Sequence, residues 1–237
     1  MSTPDLPEER GADAAAPAAT PSLAMIATLG LVATLCGILI VTTYLGTLDA
    51  VAANKRIALE RAVFKVIPGS ASMREYEIAG AAPVALGPGV AGSAGALRFY
   101  ATYDDKGVLR GIAAEAAAAG YADIVRVMYA YDPDKQAVTG FGVIAHRETP
   151  GIGDKIIFDP AFLKNFEALD VRLDAAGQAL ANPVRTVKHG SKRHPWEIDA
   201  ISGATVTSKA VGKGINDSAG RLLPRLLPHL DTLRRSP

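Results

Sequence analysis

Residues 124–145 read Ile124-Val125-Arg126-Val127-Met128-Tyr129-Ala130-Tyr131-Asp132-Pro133-Asp134-Lys135-Gln136-Ala137-Val138-Thr139-Gly140-Phe141-Gly142-Val143-Ile144-Ala145. They form two strand-like runs, Ile124–Asp132 and Ala137–Ala145, joined by Asp132-Pro133-Asp134-Lys135. Proline presets φ for a turn and aspartate bonds nearby backbone amides, so this sequence favours a hairpin. Upstream, Leu97-Arg98-Phe99-Tyr100-Ala101-Thr102-Tyr103 is rich in aromatic and β-favouring residues. A turn at Asp104-Asp105-Lys106-Gly107 returns it through residues 108–114 as a second hairpin. Downstream, residues 158–169 have helical spacing, with Asp159 and Pro160 as cap and first-turn residues. Short strand-like pieces at 171–173 and 184–187 precede a helix from about residue 208 toward Pro224. Residues 80–95, mostly Ala, Gly and Pro, read as a loop with room for an edge strand. The fold class is α+β, a mainly antiparallel sheet with flanking helices.

A chain of 237 residues, 49% hydrophobic with net charge +1, accommodates one ordinary domain and an appendage. Residues 14–48 hold no charged side chain, and 23–45 are almost wholly apolar, enough to cross a hydrocarbon core of about 30 Å. Residues 23–46 are therefore expected to be one transmembrane helix. Ala50-Val51-Ala52 mimics a signal-peptide cleavage site, but the apolar run is too long and its leading segment is acidic rather than basic. Residues 1–22 are expected to be disordered. Residues 50–68 read as a membrane-proximal helix stopped by Pro68-Gly69, and residues 69–230 as one domain. Arg10 alone precedes the span, whereas Lys55, Arg56, Arg61 and Lys65 follow it, a bias that by itself puts the domain in the cytoplasm. The single cysteine, Cys36, falls in the apolar stretch, which excludes a disulfide framework, a zinc site, a thiol nucleophile and cysteine-bound clusters in the domain. No dinucleotide-type glycine fingerprint occurs.

Chemistry concentrates in Asp199-Ala200-Ile201-Ser202-Gly203-Ala204-Thr205-Val206-Thr207-Ser208. Gly203 and Ala204 let a backbone approach a ligand, and Thr207 or Ser208 can cap the following helix, whose unpaired amides suit an anion such as phosphate. A second block comprises Gly120-Tyr121, the 124–129 strand, and His146-Arg147-Glu148-Thr149-Pro150-Gly151-Ile152-Gly153.

Together the two blocks resemble the FMN-binding domain family of the G subunit of the Rnf complex and the C subunit of the sodium-translocating NADH:quinone reductase, whose flavinylation motif is DxxSGAT. The resemblance covers about residues 54–220. It implies FMN covalently held on Thr205 through a phosphoester, with Asp199, Ser202, Gly203, Ala204 and Thr207 around it and Lys188 available to the phosphate. It also implies Glu148 and Thr149 near the isoalloxazine, where polar groups tune the reduction potential. A separate flavin transferase would attach the cofactor. The chain would then be an electron-carrier subunit of an ion-translocating membrane complex rather than a stand-alone enzyme, with no catalytic residue, no metal and no nucleic-acid partner. The family places such a domain outside the cytoplasm, so against the charge bias the expected location is the periplasmic side of the cell inner membrane.

From the residues alone, other readings stay open. Asp199 serves transferase recognition or caps a turn, and Glu148 and His146 are site groups or ordinary strand and turn residues. The cluster Lys188, His189, Lys192, Arg193 and His194 suits a phosphate, an acidic partner or plain solvent. Relatives have a Gly-rich, acidic connection where this chain has Gly190-Ser191-Lys192-Arg193-His194-Pro195-Trp196-Glu197, so the complex served is in question. Trp196 stacks on a flavin or packs elsewhere. A flavinylated carrier of another extracytoplasmic redox system, and an anchored binding domain with a vestigial motif, are the competing functions.

Overall fold

The structure, a computed structural model, describes residues 22–234 apart from 81, 88, 89, 91 and 94. The expected disordered segment lies outside the described residues, except for Ser22, which opens the first helix. The chain divides into two compact units, residues 1–51 and 52–237. Helix α1 spans Ser22–Val66, one helix where two were expected. The junction at residues 46–50 holds a single glycine and no proline, and Thr47 Oγ1 donates to the Thr43 carbonyl at 2.8 Å, so nothing there breaks the ladder. In the first unit α1 is long and apolar enough to cross a membrane, with mean hydropathy 2.5 over 18 residues and none of that stretch buried.

In the second unit a seven-stranded antiparallel sheet has the order β2-β1-β3-β4-β5-β6-β7. Its strands are β1 (Ser72–Ile78), β2 (Val84–Ala85), β3 (Leu97–Tyr103), β4 (Leu109–Ala119), β5 (Ile124–Asp132), β6 (Ala137–Ala145) and β7 (Leu169–Asp170). Both anticipated hairpins form. Asp104 Oδ1 accepts from the amides of Lys106 and Val108 at 2.9 and 2.8 Å, and Asp132 Oδ1 from those of Asp134 and Lys135 at 3.0 and 3.1 Å. The two-residue β2 is the edge strand of the 80–95 loop, and β1, which carries no clear alternation, was not anticipated.

Helix α2 is only Pro160–Leu163, with Asp159 Oδ1 capping the Phe162 amide at 3.0 Å, followed by a 3-10 turn at Lys164–Phe166. The longer helix read from residues 158–169 stops because Asn165 Nδ2 turns back onto the Phe162 carbonyl at 2.9 Å and Leu169 pairs with Val138 in the sheet. A parallel pair, β8 (Arg185–Val187) and β9 (Glu197–Asp199), precedes helix α3 (Thr205–Leu226), and the short α4 (Leu230–Leu233) follows it.

One face of the sheet is covered by α3, whose Val211, Ile215, Ala219 and Leu222 meet Ala114, Ala116, Val127 and Tyr129 in the main core. The end of α1 covers the other face, where Val63, Val66 and Ile67 join Tyr100, Ala113 and Met128. This contact is close: a Cβ on Gly140 would collide with the Val66 carbonyl oxygen, so only glycine lets the helix end lie on β6. Pro224 removes one helical hydrogen bond, yet α3 continues past it because Leu222, Leu223 and Leu226 are buried around it.

Candidate functional site

The Ser202–Ser208 segment turns from β9 into α3. Gly203 has φ +82°, the left-handed region that glycine occupies without strain, and open space lies where its Cβ would be. Helix α3 begins at Thr205, three residues earlier than expected, with Ala204 as N-cap and no side-chain cap. The first closed ring is Ser208 N to Ala204 O at 2.9 Å, so the amides of Thr205, Val206 and Thr207 have no partner inside the helix.

The four hydroxyls of the segment divide into two kinds. Ser208 is fully buried; its Oγ donates to the Ala204 carbonyl at 2.9 Å and accepts from the Ile201 amide at 3.1 Å, pinning the turn to the helix. Thr207, also buried, donates to Glu148 Oε2 at 2.5 Å. Neither caps the helix, contrary to the reading of Thr207 or Ser208 as caps, because their side chains face the core. Thr205 is half-buried at the first helical position and its hydroxyl makes no hydrogen bond among the described residues; Ser202 is exposed in the turn, with its hydroxyl equally unengaged.

Glu148 is 5% exposed and is the hub of the site. Its Oε2 accepts from Thr207 and from the Tyr121 amide at 3.2 Å, and its Oε1 from the amides of Ala122 at 3.1 Å and Asp123 at 3.5 Å. Burial pushes the carboxyl up, but the Thr207 hydroxyl and the three amides outweigh it and hold the group below the usual glutamate range. Both flanking glycines are closely fitted to this side chain. A Cβ on Gly120 would strike Glu148 Oε1, and one on Gly153 would approach Glu148 Cβ to 2.6 Å. Four protein donors fill the carboxylate's oxygens, so Glu148 joins the β4–β5 turn, the 148–153 loop and the start of α3. Thr149 has an exposed side chain, while its carbonyl accepts from the amides of Ile152 and Gly153 at 3.2 and 3.0 Å. His146 Nδ1 accepts from the Glu148 amide at 3.3 Å. Tyr121, Ile152 and Val206, one on each joined segment, expose apolar side chains.

Asp199 shapes the basic loop rather than the motif turn: its Oδ2 accepts from the Gly190 amide at 3.0 Å and lies 3.6 Å from His189 Nδ1. Most of the basic cluster is committed within the fold. His189 Nδ1 meets the Ala200 carbonyl at 3.0 Å, and Lys192 Nζ donates to Asn165 Oδ1 at 3.0 Å. His194 stacks on Trp196 with ring centroids 4.5 Å apart, so one face of the tryptophan is already taken. Glu197 accepts from the Arg193 and His194 amides and from the Arg185 guanidinium, the Arg193 amide foremost, which holds its carboxyl down at about 2. Lys188 remains exposed just past β8, next to Val187, whose carbonyl accepts from Ala200 at 3.1 Å; it has no ion pair among the described residues. Asn165 had no signal in the sequence. Buried, it accepts from the Asp199 amide at 3.0 Å and donates to the Asp199 carbonyl at 3.2 Å, tying the 3-10 turn after α2 to β9.

An antiparallel sheet carrying a helix with an N-terminus that no side chain caps defines a domain suited to hold an anion at a helix start. Residues 120–220 match the family described as the FMN-binding domain, so the resemblance carried by the two motifs holds. The chain is 33% identical over 113 residues to the G component of the ion-translocating oxidoreductase complex of Methanosarcina acetivorans, covering 48% of this chain and 52% of that protein. It is 28% identical over 185 residues to the same-named component of Aliivibrio fischeri, covering 75% and 79%. The chain thus spans about half the length of the first of these relatives. The crystal structure of Shewanella oneidensis NqrC shares the fold, with TM-score 0.57 and 22% identity over 76% of this chain and 98% of that one.

Proposed function

We infer that the chain is a membrane-anchored flavoprotein subunit holding FMN in phosphoester linkage to Thr205 and relaying electrons within an ion-translocating complex of Rnf type. The observation that carries this is the division of hydroxyls: Thr207 and Ser208 are buried and bonded, and Ser202 lies in the turn outside the helix. Thr205, whose hydroxyl has no hydrogen bond among the described residues, stands first in the helix, where the leading amides have no partner inside it. A phosphodiester on Thr205 would keep one negative charge at the positive end of a 22-residue helix, a placement worth about 0.3–1 kcal/mol. Lys188 and the turn at Gly203 would leave it room and a cation. FMN, when bound, supplies reversible one- and two-electron transfer. The protein's own residues fix the attachment point, through Ser208 and Glu148, and offer Tyr121, Ile152 and Val206 as apolar surface beside it. The exposed side chain of Thr149 is the polar group that the 148–153 loop leaves open.

A flavin transferase supplies the linkage, since no base contacts the Thr205 hydroxyl among the described residues. The relatives named as G components of ion-translocating complexes support assignment to such a complex, and the apolar stretch of α1 supports anchoring; the periplasmic side follows from the family resemblance alone, against the charge bias. The test is co-expression with a flavin transferase followed by intact-mass measurement: one FMN per chain is expected for the wild type and none for Thr205→Ala. Flavin retained covalently by Thr205→Ala would refute the assignment.

A further inference from the structure

Below the turns of α1 that precede its contact with β6, the sheet face opposite α3 is left uncovered. A groove of about 1450 Å³ runs there, beyond the roughly 300–1,000 Å³ of ordinary ligand clefts, which suits a long extended occupant. Its floor is apolar, with Leu59, Ala62, Met73, Leu86 and Ile144 among its lining. Cations stand on its rim: Lys55, Arg61, Lys65 and Arg74 line it and have no ion pair among the described residues. Of the carboxylates lining it, Glu60 is paired with Arg56 at 3.0 Å and Glu75 with Arg98 at 3.7 Å. Glu115 is the third, and burial pushes its carboxyl up, toward the neutral form.

We propose that this groove binds one anionic phospholipid, its acyl chains on the Leu59, Ala62 and Met73 floor and its phosphate at the Arg61 and Lys65 part of the rim. Long cationic side chains lay their stems on apolar surface and hold their charges at a headgroup. The same helix carries the candidate membrane span immediately before Ala52, so a lipid is the amphiphile at hand, and the excess of unpaired cations selects an anionic one. This inference rests on the membrane reading of α1 and is independent of the flavin.

The test is native mass spectrometry of the full-length chain in detergent, with added dioleoylphosphatidylglycerol or dioleoylphosphatidylcholine. One retained phosphatidylglycerol is expected, at least ten-fold favoured over phosphatidylcholine, with affinity falling about five-fold for each of Arg61→Gln and Lys65→Gln. Ala62→Phe, which fills the floor, should abolish retention. No adduct on the wild type, equal retention of both lipids, or unchanged retention in the two charge variants would overturn the proposal; the charge variants decide it even if Ala62→Phe does not fold. Carbonate extraction separates the two readings. A chain that stays in the membrane fraction but retains no lipid sinks the lipid site alone, whereas a chain released to the soluble fraction sinks the anchor.

Discussion

Replacing Glu148 with alanine should loosen three segments at once. The substitution removes the acceptor of a buried threonine hydroxyl, a hydrogen bond to a charged group worth about 1.5–3 kcal/mol. It also removes two well-formed bonds to the amides of Tyr121 and Ala122, whose residues are solvent-exposed, so water replaces part of the loss and about 0.5–1 kcal/mol each is the fitting scale. The space between Gly120 and Gly153 can then hydrate but not collapse. The expected destabilisation is about 3–4 kcal/mol, read as a drop in urea midpoint at unchanged slope. A cycle with Thr207→Val isolates the pair and should return a coupling of about 1.5–3 kcal/mol. The carboxyl is held below its ordinary value in the folded chain. Its contribution is therefore present above the unfolded value, about 4.3, and lost as pH falls through the lower folded value. Glu148→Gln should remove that part of the acid dependence. A loss under about 1 kcal/mol for Glu148→Ala, or a coupling near zero, would refute the view that this carboxylate organises the site.

Three further outcomes follow from the same contacts. Gly120→Ala should cost about 1–3 kcal/mol and lower FMN incorporation, because its Cβ meets Glu148 and comes to 2.8 Å from Val125; a thermal melt beside flavin quantitation reads both. Gly140→Ala should cost a similar amount while leaving FMN incorporation near wild type, since it disturbs only the seat of α1 on β6. Ser208→Ala leaves the buried Ile201 amide without its acceptor, about 1–3 kcal/mol, and should slow flavinylation of the loosened turn in a timed transferase assay.

The β5–β6 hairpin was legible to the residue, because Asp132 turn chemistry and two strand-like runs agree on one register. Strand β1 was not, since Ser72-Met73-Arg74-Glu75 carries no alternation and acquires its pairing only from β3. The early stop of α2 lay beyond reach because it depends on Asn165, whose partners come from residue 199, far along the chain. In the site, the local string singled out Thr205 but misread the roles of the hydroxyls that follow it. Thr207 and Ser208 look like caps when only the local string is read, and become core groups once Glu148 and Ile201 reach them. Glu148 itself was singled out for proximity to a flavin. Its partners in the fold are two glycines, a turn of three amides and a threonine 59 residues away, which share no periodicity that a sequence displays.

The central claim is one hydroxyl, and a tryptic digest of the natively expressed chain reads it directly. Cleavage after Arg193 and Lys209 yields the 194–209 peptide, which contains Ser202, Thr205, Thr207 and Ser208 together. Fragmentation should place a single FMN on Thr205, with the other three hydroxyls unmodified. An unmodified peptide from cells that contain an active flavin transferase, or FMN placed on Ser202, Thr207 or Ser208, would contradict it.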